Sequence, residues 1–176
     1  MAVVIDATPS GASANSYVTL ADADSYFEGR SGAAGWDDSG VVDDDKNRAL
    51  VTATNRLESE DYVGSIADQD QRLRWPRFGT YDEDGRLYVD TAVPRPVKEA
   101  CYELADAILG ETYKVSPTTS SGDLSEFEKV KVGPIEVVPA SGVSTSDFDM
   151  PDVVYSLLAH LLRAGSRGLN VRIERG

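Results

Sequence analysis

The stretch VPRPVKEACYELADAILGETY, residues 93–113, decides the fold class. Pro94 and Pro96 belong near a helix start, where a missing amide N–H leaves no intrahelical bond unmade. Behind them Val97, Ala100, Cys101, Leu104, Ala105, Ile108 and Leu109 follow the i, i+3, i+4, i+7 rule without a break. That spacing puts them all on one face of a 3.6-residue helix. Gly110 predicts the stop, with residues 111–113 adding at most one more turn.

Working outward, the same period recurs. In TLADADSYFEGR, residues 19–30, Thr19 and Asp22 have the spacing of a capping box, with Asp in place of Glu. Leu20, Ala23, Tyr26 and Phe27 then share a face, and Gly29 ends a short helix. Residues 29–42 read as a Gly- and Asp-rich loop holding Trp36. A second helix opens at Asp43, Asp44 and Asp45, whose charges suit the positive end of a helix dipole. Its thin stripe of Leu50, Ala53 and Leu57 is widened by Ala49 and Thr54.

Beyond residue 113 the pattern changes. SPTTSSGD (116–123) is linker-like, and EKVKVGPIEVVP (128–139) alternates at Val130/Val132 and Ile135/Val137 around Gly133-Pro134. Two short strands or one broken strand both fit that alternation. A last helix is expected from an Asp149 N-cap, with Pro151 in its first turn and Gly165 as its stop. Val153, Val154, Leu157, Leu158, Leu161 and Leu162 give it a wide apolar surface. The expectation is a mainly α fold, a small bundle of about four helices with a minor β element before the last. It is read as a single domain of 176 residues: helical core 14–111, loop and β insertion 112–149, C-terminal helix 150–164, basic tail 165–176.

Composition narrows function mostly by exclusion. No apolar run approaches the ~20 residues of a membrane span. The N-terminus MAVVIDATPSG has neither a basic region nor an apolar core of a secretory signal, so a soluble protein made in the cytoplasm is expected. A single cysteine and a single histidine exclude a disulfide framework and any multi-histidine metal site. Net charge is −13, from 30 acidic and 17 basic side chains, so overall electrostatics repel a polyphosphate. The charge is uneven: WDDSGVVDDD (36–45) holds five aspartates, whereas RAGSRGLNVRIERG (163–176) holds four arginines and one glutamate.

Each local cluster meets an ordinary structural reading. DEDGR (82–86) has carboxylates for a hard cation, but an EF-hand loop needs its glycine sixth and a glutamate twelfth. Counted from Asp82, glycine is fourth and position twelve is Val93, so this is a turn leading into a strand at Arg86–Val89. Arg72, Arg74, Trp75 and Arg77 resemble a stacking and phosphate-binding cluster. One aromatic makes a poor stacking platform, and the structural reading takes Trp75 into the core and leaves Arg74 and Arg77 at the surface or paired with aspartates. His160 is read as a packing or interface residue and Cys101 as a small buried hydrophobe. The glycines match no dinucleotide or P-loop spacing, no catalytic constellation stands out, and no cofactor is implied.

Several stretches together resemble a phage family often labelled DnaT-like single-stranded-DNA-binding, whose members occur among virion head–tail genes. They are ANSYVTLADADSYF (14–27), NRALVTATNRL (47–57), RWPRFGTYDEDGR (74–86), VPRPVKEACYELA (93–105) and KVKVGPIEV (129–137), in order along almost the whole chain. A longer Asp-rich loop at 30–45 and the Ser/Thr-rich linker at 116–123 depart from the pattern. The resemblance implies a non-catalytic head–tail connector adaptor of the virion neck. It would form a homo-oligomeric ring of about twelve copies, docked on the portal and joined to a tail-side neck protein. DNA would pass through without specific binding. In that setting the tail residues Arg163, Arg167, Val171, Arg172, Ile173 and Arg175 are candidate partner contacts. Arg74 and Arg77 against a neighbour's Asp43, Asp44 and Asp45 are candidate inter-subunit pairs. The alternative is a single-stranded-DNA-binding replication accessory using Arg72, Arg74, Trp75 and Arg77.

Overall fold

The computed structural model describes residues 3–113 and 150–163, together with the backbone of two strand segments at 130–132 and 135–137. Its described residues are mainly helical: α1 (Leu20–Glu28), α2 (Asp43–Leu57), α3 (Arg95–Leu109) and α4 (Asp152–Leu158), the last continued by a 3-10 turn, Ala159–Leu161. Chain contacts divide the molecule into two compact units, Met1–Tyr113 with Met150–Gly176, and Lys114–Asp149.

The helix boundaries follow their local chemistry. The Thr19 hydroxyl accepts from the Asp22 amide at 3.1 Å, and the Asp22 carboxylate accepts from the Thr19 amide at 3.4 Å, completing the capping box of α1. Thr19→Ala is expected to cost about 1 kcal/mol, read as a shift of the urea midpoint at unchanged slope. In α3 Pro94 is the N-cap residue and Gly110 the C-cap, as the sequence predicts.

The last helix departs from expectation. Pro151, not Asp149, is its N-cap, and Asp149 lies outside the described residues. The α-helix ends at Leu158, well short of Gly165, and Leu162 is already extended. The cause is long-range pairing: Val63 donates to the Leu161 carbonyl at 2.9 Å and Arg163 to the Asp61 carbonyl at 2.8 Å. An antiparallel bridge joins Tyr62 to Leu162. These bonds supply backbone partners that a further helical turn would otherwise provide.

The core of the larger unit forms where α2 packs on α3 and α3 on α4. Leu50, Ala53 and Leu57 meet Val97, Ala100, Cys101, Leu104 and Ala105, with Val154, Leu158 and Leu161 closing the far side, all fully buried. Val153, predicted to join that apolar surface, is exposed. The loop before α2 is pinned rather than free. Trp36 stacks on Phe27 with ring centres 4.9 Å apart, and its amide and indole N–H groups donate to Asp106 and Asp24.

Between α2 and α3 the strand expected at Arg86–Val89 is reduced to a single Tyr81–Leu87 bridge, and a two-strand pairing forms upstream that the sequence did not indicate. β1 (Ser65–Ile66) pairs antiparallel with β2 (Arg77–Phe78), in register Ser65 to Phe78 and Ile66 to Arg77. The chain then folds back, with Tyr88 donating to the Thr80 carbonyl and Asp82 to that of Arg86, both at 2.9 Å. The turn between them holds Gly85 at φ +78°, where a side chain would be strained. In the smaller unit β3 (Val130–Val132) pairs antiparallel with β4 (Ile135–Val137), so the alternation there resolves into two strands. Among the described residues no helix is long and apolar enough to cross a membrane.

Candidate functional site

The arginine–tryptophan segment is used for internal bracing. Trp75 is 1% exposed and meets the Tyr62 ring edge-on at 5.3 Å, next to the cis Trp75–Pro76 peptide. Arg77 is also buried, and its guanidinium donates to the carbonyls of Val63 at 2.7 Å, Gly64 at 2.8 Å and Arg74 at 3.3 Å. Burial, with the Arg74 charge nearby, lowers its pKa from the usual arginine value. The Arg74 amide donates to both Glu58 carboxylate oxygens, and its guanidinium donates to the Glu60 carbonyl at 2.8 Å. Glu58 also accepts from the Tyr17 hydroxyl. Arg72 is exposed, with its amide donating to Gly11.

One expectation is met here and one is corrected. Trp75 lies in the core, as the structural reading of the sequence has it, and presents no free face for a base. Arg77 is neither at the surface nor paired with aspartates: it is buried, and four backbone carbonyls of its own chain, those of Tyr62, Val63, Gly64 and Arg74, accept from its guanidinium. Of the acids at the start of α2, Asp44 accepts from the Val3 amide at 2.8 Å and pairs with Arg48 at 2.5 Å. Asp45 lies 3.4 Å from Arg48, and Asp43 is exposed. Arg74 sits past the opposite end of α2, so within one chain these candidates are a helix length apart, about 22 Å.

Large apolar groups face outward singly at Val4, Val42, Val153 and Tyr155, and as a group in the fold-back after β2. Tyr81 and Leu87 form a cross-strand pair with side chains on one face, and Val89 continues it two residues on. All three are more than half exposed, and Phe78 and Ile66 are exposed close by in the chain. Tyr88, between Leu87 and Val89, turns inward instead. It joins Asp82, Glu83, Asp84, Pro96, Ser156, Leu157 and His160 around a cleft of about 360 Å³. The Tyr88 hydroxyl is 3.3 Å from His160 Nε2, while His160 Nδ1 is 3.8 Å from Glu83 Oε1. Burial raises the Tyr88 pKa, helped by the Asp82 and Glu83 charges. His160 is thus half-buried at the wall of an acidic cleft, consistent with a packing or interface residue.

Cys101 is fully buried beside Thr54 and the Leu50 carbonyl, and burial pushes its thiol up to about 12. A thiol held protonated at neutral pH packs as a hydrophobe. Among the described residues no group of three or more His, Cys, Asp or Glu side chains is arranged to hold a metal ion. Arg163 lies 3.8 Å from Asp61, whereas Arg167, Val171, Arg172, Ile173 and Arg175 fall outside the described residues.

A family model described as "Putative DnaT-like ssDNA binding protein" matches residues 1–176. The chain belongs to this DnaT-like family. Neither a curated protein nor a solved structure matches it. In this DnaT-like chain the outward-facing set missed by sequence reading is Tyr81, Leu87 and Val89 with the cleft behind Tyr88. The sequence suggests a strand at Arg86–Val89, of which only the Leu87 bridge forms, and alternation leaves open which face the rest of the chain covers.

Proposed function

We propose that this protein is a structural subunit of the virion neck, a head–tail connector adaptor that assembles as a ring on the portal and performs no catalysis. The observation that carries this reading is the division of its side chains. The tryptophan and arginine that a nucleic-acid reader would present are consumed inside the fold, while Tyr81, Leu87 and Val89 stand exposed among carboxylates. Exposed apolar groups with a charged rim suit contact with protein. A net charge of −13 suits a lumen through which DNA slides. Assembly in the host cytoplasm, a ring of about twelve copies and a tail-side neck protein as the second partner complete the reading.

Electron microscopy of the full-length protein mixed with its portal tests the proposal. A ring coaxial with the portal is expected, and portal particles without added density would refute it. Removal of residues 166–176 is expected to weaken portal binding or assembly. If the shortened chain assembles normally, the arginine-bearing tail has no part in docking.

The family description favours a second reading, single-stranded DNA binding in replication. With Trp75 withdrawn, its stacking groups would have to be the exposed Phe78 and Tyr81, with Arg72, Arg74 and Arg86 toward phosphate. Micromolar anisotropy binding of labelled oligonucleotides that weakens steeply with salt would establish that reading. Its absence at low salt would remove it.

A further inference from the structure

We propose that the acidic cleft between the 82–88 fold-back and α4 is the receptor for the C-terminal segment, residues 166–176, of a second copy of this chain. The proposal deepens the ring reading and rests on it. The segment's arginines enter the cleft, and its apolar residues cover Leu87 and Val89 on the adjoining face.

The chemistry of the two surfaces is complementary. Asp82, Glu83 and Asp84 stand at the cleft of about 360 Å³, while the Tyr88 ring and Leu157 offer apolar walls for an alkyl stem. Glu83 and Asp84 are well exposed, and Glu83 lies 3.8 Å from His160 Nδ1, a buried atom with no hydrogen-bond partner among the described residues. Such a site suits a guanidinium on an aliphatic stem, which gains from carboxylates and from apolar contact alike. Residues 166–176 supply Arg167, Arg172 and Arg175 against one acid, Glu174, with Leu169, Val171 and Ile173 interspersed.

The ring reading favours a second copy over the same one. The described chain leaves the cleft at His160 and pairs with residues 61–63 as far as Arg163, which donates to Asp61, while Leu162 bridges Tyr62 in antiparallel sense. A donor segment with a separate acceptor is what a head-to-tail ring requires.

Disulfide trapping between two differently tagged full-length copies tests the contact, since the native Cys101 is buried and silent. One copy carries Glu83→Cys and the other Arg172→Cys, and a control pair replaces Glu83→Cys with Arg48→Cys near the far end of α2. Mixed dimers several-fold above the control are expected, because a bond needs the two backbones within about 7 Å. Adding Asp84→Lys to the receiving copy is expected to lower the yield several-fold. Yield at the control level overturns the proposal. So does a chain carrying both Glu83→Cys and Arg172→Cys that closes on itself without linking copies. Rings seen on the portal with no trapping would leave the connector reading intact and remove only this contact. Trapping without rings would keep the contact and remove the connector.

Discussion

Trp75→Ala is expected to lower the free energy of unfolding by about 3–5 kcal/mol, among the largest single losses in this fold. The indole is 1% exposed, lies edge-on to Tyr62, and has the Arg77 guanidinium 6.0 Å from its ring centre. Removing it deletes apolar contact and leaves a cavity that Tyr62 and the braced Arg77 are poorly placed to fill. Urea unfolding followed by circular dichroism should show a lower midpoint at unchanged slope. Trp75→Phe, which retains a ring, should lose distinctly less. A residue whose task was to stack on bases would behave oppositely, leaving stability nearly intact while abolishing oligonucleotide binding. A loss below about 1 kcal/mol would show that Trp75 does not anchor this part of the core.

Gly35→Val should cost about 3 kcal/mol, at the upper end of overpacking effects. A Cβ on Gly35 would lie 2.3 Å from the Asp106 carbonyl oxygen and 2.4 Å from the Gly110 nitrogen, both backbone atoms of the α3 C-terminus. No rotamer relieves a clash with main chain, so either the loop lifts or the end of α3 unwinds. Lifting would draw Trp36 off Phe27 and break its amide bond to Asp106. Gly29→Ala is the matched comparison, since a Cβ there meets nothing within 4 Å. It should remain within about 0.5 kcal/mol of the parent. Equal losses at both glycines would refute the close-approach account.

Legibility in the sequence tracked the range of the interaction involved. The α3 stripe, the Thr19–Asp22 cap and the Gly110 stop all depend on residues within a few positions of one another, and all appear as read. β1 and β2 did not, because strands of two residues are too short to show alternation. The length of α4 failed for a different reason. Its stop is set by backbone pairing with residues 61–63, about a hundred positions earlier in the chain. The candidate site divided in the same way. The arginines near Trp75 were visible as charges, but that Arg77 would give its donors to carbonyls of residues 63, 64 and 74 was not.

By itself the sequence determined the helical class, the order of the helices, the acidic body with its arginine-bearing tail, and the absence of a disulfide framework. Periodicity, capping and net charge are local or additive, so they can be counted along a chain. Only the tertiary structure decided which charges and rings remain available. It buried Trp75 and Arg77, turned Tyr88 toward His160, and left Tyr81, Leu87 and Val89 facing out. Availability is a property of what packs over a residue: Tyr62 meets Trp75, carbonyls of residues 62–64 and 74 hold Arg77, and His160, 72 positions on, faces Tyr88.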